Sequence, residues 1–314
     1  MKELVSKTAI AAAAAGAAVS VGSMPALADQ AGVTEPDWFL SLEGSLLFAD
    51  PAIDKLGSGG PGPGIAFDFN DFDKDLGYRG AAAFGKKFDD NLDWRLGVAY
   101  SNFVKNNASL SITGIPGSGS GSGSLLGTGE ADFSYLTADL ELGYNVRPGD
   151  DFDLRVFGGL RFLNSRDSQD KFGEFESGGS GGTIQFGADS EFIGVGPRAG
   201  LDFSSRLGEG NFGFSGMIAT AVLYGDLKQK FEANGSGLGS SFSGFSETLH
   251  ENELLFNLEA AFGADFHLNE NAVLTIGYRG EYWNDVRFSD KIGGSGETPD
   301  TLSHGPFVRF IAKF

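Results

Sequence analysis

The chain has 314 residues, no cysteine and a formal net charge of −19, with a pI near 4.4. The lack of cysteine excludes a disulfide framework, and the acidic balance argues against a nucleic-acid partner, which requires basic patches. With 49 glycines and 29 phenylalanines, the composition is unlike that of a disordered chain. It is typical of membrane barrels, which combine outward aromatic residues with small or polar inward ones.

The N-terminus has the pattern of a secretory signal peptide. Two lysines flank the start of an apolar, alanine-rich run over residues 8–21, and the small residues Ala26 and Ala28 predict cleavage after position 28. The run is too short to span a membrane as a helix. We therefore predict that residues 1–28 are removed and that residues 29–314 form one domain. Cleavage removes two lysines and one glutamate, which changes the formal charge from −19 to −20.

The remaining chain predicts an all-β fold. No stretch of about eighteen uncharged apolar residues follows the signal peptide, which excludes helical membrane spans. Large apolar and polar side chains instead alternate with a period of two, as in strands with one lipid-facing side. The predicted strands are 38–48, 75–85, 92–101, 136–145, 153–162, 193–202, 212–225, 254–266, 274–285 and 305–314. Pro197 predicts a bulge, and residues 212–225 are apolar on both faces, so eight or twelve strands also fit.

Short polar turns alternate with long segments rich in glycine and serine. The turns are 87–91, 147–151, 206–211 and 267–271, and the long segments are 49–74, 104–130, 164–190, 226–250 and 287–303. Short turns on one side and long extracellular loops on the other are typical of bacterial outer-membrane barrels. We therefore predict a transmembrane antiparallel up-and-down barrel of ten strands with both termini in the periplasm. The low complexity of the long segments predicts mobile polar coils.

The last ten residues have the pattern of a barrel-closing strand. Alternate residues up to Phe310 and Phe314 share one face, and Arg309 and Lys313 lie on the other. An apolar stripe that continues to a terminal aromatic residue suits a lipid-facing strand. It also resembles the signal by which barrels are recognised for insertion. We expect Phe310 and Phe314 to serve the barrel-assembly machinery, with outer-membrane lipid and lipopolysaccharide as the surrounding partners.

Several segments resemble one protein family. The blocks are Asp-Leu-Glu-Leu-Gly at 139–143, Gly-Gly-Leu-Arg-Phe at 158–162, Gly-Val-Gly-Pro-Arg-Ala-Gly-Leu-Asp at 194–202, Ala-Val-Leu-Tyr-Gly at 221–225 and His-Gly-Pro-Phe at 304–307. They are similar to blocks of the Legionella-type major outer-membrane protein family, in order over residues 130–314 and more weakly over 37–103. The resemblance implies a pore-forming barrel in the outer membrane of a Gram-negative bacterium. None of these blocks is a catalytic signature.

Charged residues opposite the apolar faces are predicted to point into the barrel. The candidate pore-lining residues are Glu43, Arg79, Asp93, Arg95, Asp139, Glu141, Arg155, Arg161, Arg198, Asp202, Glu259, Arg279, Glu281 and Arg309. Such residues either select permeants in an aqueous passage or pair across a narrow lumen as a polar core. Ten strands leave room for either arrangement, and the family resemblance favours a narrow pore for passive diffusion of small hydrophilic solutes.

An acidic segment lies at the return of the first long loop. Asp68, Asp71, Asp73 and Asp75 have only part of the spacing of a calcium loop, since the sixth-position glycine and the twelfth-position glutamate are missing. We expect a solvated acidic face with at most weak divalent-cation binding, and no cofactor. A mature charge near −20 should enrich cations at the mouth of a pore, so a cation preference is predicted.

The sequence gives little support for catalysis. Its three histidines are His250, His267 and His304, and no motif around them specifies a catalytic dyad. We therefore predict that the protein is not an enzyme. The alternative to a pore is a non-catalytic surface-interaction or adhesin barrel with a closed lumen, in which the long extracellular loops carry the function.

Overall fold

The computed structural model describes residues 38–49, 66–70, 75–88, 91–116, 122–149, 152–177, 180–208, 210–237, 240–284 and 300–314. The strands are β1 (Trp38–Ala49), β2 (Ala66–Asn70), β3 (Asp75–Lys87), β4 (Leu92–Pro116), β5 (Ser122–Gly149), β6 (Phe152–Ser177), β7 (Ser180–Arg206), β8 (Phe212–Gly237), β9 (Ser240–Asn269), β10 (Ala272–Trp283) and β11 (Thr301–Lys313). Within these ranges, no helix is long and apolar enough to cross a membrane.

The sheet closes on itself. β1 pairs antiparallel with β3 on one side and with β11 on the other, and β4 pairs with β5. The ring order is β1, β3, β4, β5, β6, β7, β8, β9, β10 and β11. β2 pairs with residues 109–113 of β4, beyond the part of β4 that pairs with β3, so it continues that wall of the ring. Ten strands of the described chain thus form a closed antiparallel barrel, which confirms the predicted fold.

Large apolar side chains cover the outside of the barrel. Exposed examples are Leu96, Leu140, Val195 and Ile276. The residues directly before and after each of them in the strand face the inside of the barrel. A contiguous exposed apolar band is what a lipid-facing barrel surface requires. At one end of the band, the rings of Trp38 and Phe84 stack with centroids 5.0 Å apart, which suits an aromatic girdle at the membrane interface.

The short connections and the C-terminus lie at the same end of the barrel, here called the turn end. The connections after β3, β5, β7 and β9 occupy residues 88–91, 150–151, 207–211 and 270–271, where the sequence predicts turns. Gly208 has a φ of 62°, a conformation that glycine adopts without steric cost. Trp38 and Phe314 exchange backbone hydrogen bonds of 3.1 and 2.9 Å, which joins the first and last strands at this end.

The opposite end, here called the hairpin end, corrects the prediction of long coils. Residues 104–116, 122–130, 164–177, 180–190, 226–237 and 240–250 continue the strands. Their glycine- and serine-rich composition suggested coil, but an antiparallel neighbour satisfies the backbone groups whatever the side chain. Small polar pairs add to this, such as the 2.7 Å hydrogen bond from Ser168 to Asp189. Of the predicted loops 49–74 and 287–303, residues 66–70 and 301–303 are also strand, and residues 50–65, 71–74 and 287–299 lie outside the described residues.

The predicted bulge at Pro197 is wrong. Val195 pairs with Tyr224 and Arg198 with Ala221, so the register between β7 and β8 is the same on both sides of the proline. Proline has no backbone N–H, so one hydrogen bond is missing from the ladder at this point, but no extra residue is inserted into the strand. The ambiguous seventh strand is β8, whose inward positions include the small buried residues Ala219 and Ala221.

Candidate functional site

The inward charged residues predicted from the sequence come together inside the barrel. Thirteen of the fourteen line one cavity of about 610 Å³ in the turn-end half of the lumen. The fourteenth, Glu281, is buried and forms an ion-pair contact with Arg279 at 3.8 Å. Three further charged residues, Asp153, Asp265 and Lys313, share the inward parity of their strands and also line the cavity. Alternation along each strand was therefore sufficient to locate these charges.

Arg155 of β6 holds three carboxylates from neighbouring strands. Its Nε donates to both oxygens of Asp93 at 3.0 Å. Its Nη1 donates to Asp202 at 2.8 Å and to Glu141 at 3.2 Å. Asn145 also donates to Asp93, at 2.8 Å. Charge-assisted bonds of this kind compensate for the desolvation of a buried guanidinium.

Glu259 of β9 is the centre of a second group. Arg161 donates to it, Arg198 Nη1 lies 3.1 Å away and Arg279 Nη2 lies 3.8 Å away. Arg161 also donates through Nε and Nη2 to the two oxygens of Asp139, at 2.7 Å each. Arg161 lies on β6, three strands from β9 in the ring, so these contacts cross the lumen. Glu259 and Arg161 are only 2% and 1% exposed.

Glu43 of β1 is the centre of a third group, formed with Arg79 of β3, Arg279 of β10 and Arg309 of β11. Arg79 Nη1 donates at 2.9 Å, and Arg309 approaches with Nε at 2.9 Å and Nη2 at 2.8 Å. Arg279 also donates to Glu43 and so links this group to Glu259. The three groups form one continuous ion-pair network around the lumen.

The network is electrically balanced. It consists of seven arginines and seven carboxylates, namely Arg79, Arg95, Arg155, Arg161, Arg198, Arg279 and Arg309 with Glu43, Asp93, Asp139, Glu141, Asp202, Glu259 and Glu281. Paired charges of this kind tolerate burial, whereas removal of one partner leaves an uncompensated charge. The formal charge of the network is thus zero, in contrast to −19 for the chain.

An apolar layer fills the lumen between the network and the hairpin end. It consists of Leu47, Ala49, Phe103, Phe133, Tyr135, Leu163, Phe192, Ala221, Leu223, Leu227, Leu255 and Trp283. The rings of Phe103 and Phe133 stack with centroids 5.6 Å apart. Sequence reasoning missed this layer. The available signal was that apolar residues such as Leu47 and Leu163 occupy the inward parity, next to positions that carry charges.

One contact within the layer joins opposite walls of the barrel. Tyr135 of β5 donates its hydroxyl to Glu281 of β10 at 2.9 Å, and Trp283 Nε1 donates to the other oxygen of Glu281 at 2.8 Å. β5 and β10 are five strands apart in a ring of ten. The rings of Tyr135 and Trp283 meet edge to face, 5.9 Å apart. This contact therefore spans the lumen within the apolar layer.

The other predicted sites lie away from the cavity or outside the described residues. Asp71 and Asp73 lie outside the described residues, as do the side chains of Asp68 and Asp75. In the described part of the chain, no group of three or more His, Asp or Glu residues could hold a metal ion. Of the two terminal phenylalanines, Phe310 is half-buried and Phe314 is exposed at the turn end.

The histidines lie apart from one another. His250 Nδ1 is 3.9 Å from Asp226 on the outward side of the hairpins, His304 bonds Tyr278 on the lipid-facing surface, and His267 Nδ1 lies 3.4 Å from Arg206 at the turn end. No pair of them is brought together.

Ion pairs also occur on the hairpins beyond the apolar band. Lys230 Nζ lies 2.6 Å from Glu232, and this hydrogen-bonded carboxylate raises the pKa of the Lys230 ammonium above its usual value. Arg166 pairs with Glu191 at 3.1 Å. These groups are exposed, and exposed pairs contribute little to stability.

Comparison with known proteins identifies one family. Residues 54–313 match the family model described as Legionella pneumophila major outer membrane protein precursor. No curated protein matches the chain. Similar solved structures include the outer membrane protease OmpT from Escherichia coli, with 10% identity, a TM-score of 0.42 and coverage of 91% of this chain and 99% of that one.

Two further solved structures are similar over most of their length. The NanC porin has 8% identity and a TM-score of 0.32, with 88% of this chain and 100% of that one covered. The outer membrane protein OprG from Pseudomonas aeruginosa has 16% identity and a TM-score of 0.24, with 89% and 97% covered.

Proposed function

The chain belongs to the family of the Legionella pneumophila major outer membrane protein, and we propose that it forms a pore for passive diffusion of small hydrophilic solutes. The protein is a β-barrel of the Gram-negative outer membrane. Its ten strands enclose a lumen with charged walls. We further propose that the turn end faces the periplasm and the hairpin end faces the outside, as in bacterial barrels with short periplasmic turns.

The observation that carries this proposal is the ion-pair network around an open cavity. The cavity of about 610 Å³ is lined by thirteen of the fourteen network residues. A purely structural interior would be filled by side chains, whereas this half of the lumen holds space beside charged groups. The apolar layer then acts as a gate, because a solute can cross only if side chains such as Tyr135 and Trp283 move apart.

We also propose that the pore prefers cations. The network has no formal net charge, so it does not supply the preference. The chain as a whole carries −19, an excess for which the balanced network does not account. Exposed carboxylates raise the local cation concentration at a pore mouth. The preference is therefore a property of the surroundings of the pore rather than of its walls.

A closed surface-interaction barrel is the second candidate, and two observations favour it. The apolar layer lies across the lumen, and its members Phe103, Phe192 and Trp283 are almost completely buried. The described parts of the long segments at the hairpin end are paired strands rather than coils, which provides a preformed surface for a partner. In this candidate, the lumen is a core and the hairpins carry the function.

We propose that the protein is not an enzyme and uses no cofactor. His250 and Asp226 are 3.9 Å apart, and both are exposed on the outward side of β8 and β9 rather than in the lumen.

For assembly, we propose that the barrel-assembly machinery recognises Phe310 and Phe314. Phospholipid and lipopolysaccharide are the proposed neighbours of the apolar band.

Single-channel recording tests the pore. The refolded chain is inserted into a planar bilayer under a salt gradient, alongside Phe192→Ala, which removes a ring from the apolar layer. We expect discrete conductance steps, a cation-selective reversal potential and a higher open probability in the variant. A correctly folded barrel that is silent in both forms contradicts the pore and supports the surface-interaction barrel. An anion-selective reversal potential contradicts the proposed preference.

A further inference from the structure

One wall of the turn-end cavity carries small side chains. The inward positions of β1, β3 and β4 in this region are Ser41, Ala81, Ala83, Gly97 and Ala99, and all five line the cavity. In a narrow barrel, inward side chains normally fill the interior. The small residues leave space next to the ion-pair network, so the cavity is a consequence of sequence on these three strands.

Basic residues border this small-residue wall. Register places Lys313, Phe39, Gly85 and Arg95 side by side on β11, β1, β3 and β4. Lys87 is the next inward residue of β3 toward the turn end. The Cα atoms of Lys313 and Arg95 are about 14 Å apart at a strand spacing of about 4.8 Å, so two long side chains can approach one small solute between them.

Arg95 has hydrogen-bonding capacity that its protein partners do not use. Its Nη1 lies 3.4 Å from Asp202 and 3.9 Å from Glu141, and both carboxylates accept shorter bonds from Arg155. Its Nε is buried without a hydrogen-bond partner, as are those of Arg79 and Arg279, so a solute would be bound through the terminal Nη groups. The Arg95 side chain is also 30% exposed, against 21% for Arg309 and less for the other five arginines of the network.

Packing holds Arg95 in position. Its guanidinium lies 5.5 Å from the ring centroid of Phe39, a cation–π distance. The Phe39 ring lies over Gly85, where a Cβ atom would come within 2.6 Å of the ring. The absence of a side chain at Gly85 therefore allows Phe39 to reach across β3 and support Arg95 from β4.

The carboxylates near this wall are already occupied. Asp93 accepts from Arg155 and Asn145, and Glu43 accepts from Arg79 and Arg309. Among all residues that line the cavity, ten are lysine or arginine and eight are aspartate or glutamate. The lining is thus formally positive by two charges in a chain that is strongly acidic.

We propose that the cavity binds a small anionic solute through a carboxylate or phosphate group, with Arg95 as the main donor and Lys87 and Lys313 beside it. A planar guanidinium matches both groups because each offers two oxygens to its donor fork. A volume of about 610 Å³ lies within the range of roughly 300–1,000 Å³ that is usual for ligand pockets. The site does not depend on conduction, since a barrel with a closed lumen would contain it equally.

Isothermal titration calorimetry tests the site on the refolded full chain in detergent micelles. Inorganic phosphate and succinate are titrated separately in a chloride buffer, which separates phosphate from carboxylate recognition. The test variant is Arg95→Gln, and the control is Arg166→Gln, which removes an arginine whose side chain is 69% exposed on the hairpins. We expect saturable binding of at least one anion, with affinity about tenfold lower in Arg95→Gln and unchanged in the control.

Two results would overturn the site: no saturable heat with either anion, or equal affinity in Arg95→Gln and the unsubstituted chain. Heat-modifiable gel mobility verifies that each variant is folded. If Arg95→Gln does not fold, Lys313→Gln replaces it, and unchanged affinity there also contradicts the proposal. Because the assay measures no current, failure of the site leaves the proposed pore untouched, and a silent pore leaves the site untouched.

Discussion

Tyr135 and Glu281 connect opposite walls of the barrel by a hydrogen bond of 2.9 Å. The strands that carry them, β5 and β10, are as far apart as a ring of ten strands allows. Both residues are buried, and Trp283 donates to the same carboxylate at 2.8 Å. A bond across the full width of the lumen can exist only while the lumen is closed at that level, so it stabilises the closed conformation selectively.

Tyr135→Phe should therefore raise the open probability of the pore. A buried hydrogen bond contributes on the order of 1 kcal/mol, which corresponds to an increase of about fivefold in the ratio of open to closed states. Single-channel recording measures this ratio. Tyr224→Phe is the control, because Tyr224 is exposed on the lipid-facing surface. An equal open probability in Tyr135→Phe and the unsubstituted chain would show that this bond does not hold the gate.

Glu259→Gln should strongly destabilise the barrel. Glu259 is buried and contacts Arg161, Arg198 and Arg279, and removal of its charge leaves buried guanidinium groups without their counter-ion. The expected loss in the free energy of unfolding is about 3–5 kcal/mol. Urea titration in lipid vesicles, followed by tryptophan fluorescence, provides the measurement.

Glu191→Gln is the matched control for this substitution. Glu191 pairs with Arg166 at 3.1 Å on the hairpins, where both side chains are accessible to solvent. An exposed pair contributes less than about 1 kcal/mol. Similar losses in the two variants would mean that the network is hydrated and not a buried core.

The proposed cation preference should weaken as salt concentration rises. The preference is assigned to exposed carboxylates because the network itself is balanced, and exposed charges are screened over about 10 Å at 0.1 M salt and about 3 Å at 1 M. The cation preference is measured as the reversal potential at both salt concentrations, with the same ratio of salt across the bilayer. A preference that persists unchanged at 1 M would assign selectivity to the walls of the lumen instead.

Gly85→Ala should destabilise the barrel more than Gly97→Ala. A Cβ atom on Gly85 would clash with the Phe39 ring and with the backbone carbonyl oxygen of Trp94, whereas the nearest atom to a Cβ on Gly97 is 3.9 Å away. The two glycines lie on the adjacent strands β3 and β4, and Gly97 lines the cavity. Overpacking typically costs about 1–3 kcal/mol, so the difference should be visible in parallel urea titrations. Equal stability would show that the Phe39 ring and the Trp94 backbone both adjust without cost.

Phe314→Ser should lower the amount of barrel assembled in the outer membrane. The substitution keeps the backbone bonds between Phe314 and Trp38 but removes the terminal ring that we assign to recognition by the assembly machinery. Phe212→Ser is the control, since Phe212 is an equally exposed aromatic residue at the turn end. We expect a several-fold lower level, by immunoblot of outer-membrane fractions, for Phe314→Ser alone. Equal levels would contradict the recognition role.

Local pattern was sufficient for much of this protein. Alternation of apolar and charged residues predicted ten strands and the inward direction of residues such as Arg155 and Glu259, because successive side chains of a strand point to opposite faces. The short turns at 87–91 and 206–211 were predicted from polar sequence, which in the second turn includes two glycines. These features depend on residues that are close along the chain.

Features that depend on residues far apart in the sequence could not be predicted from local pattern. The glycine- and serine-rich hairpins were predicted as coils because their pairing comes from the neighbouring strand and not from their own side chains. The bulge at Pro197 was wrong because the ladder on both sides keeps one register. The apolar layer was not predicted because its members, such as Leu47 and Leu255, lie on different strands and come into contact only after the barrel closes.

The class of the molecule, the strand alternation and the set of fourteen inward charges follow from local pattern, since period-two patterning is a property of single strands. The choice of ion-pair partners, and the levels at which the lumen is open or filled, depend on how the strands assemble into a barrel. Closure and stagger of the strands bring Arg161 to Glu259, 98 positions away in the sequence, and Tyr135 to Glu281, 146 positions away. No local pattern encodes such distances, because they arise from the packing of all ten strands at once.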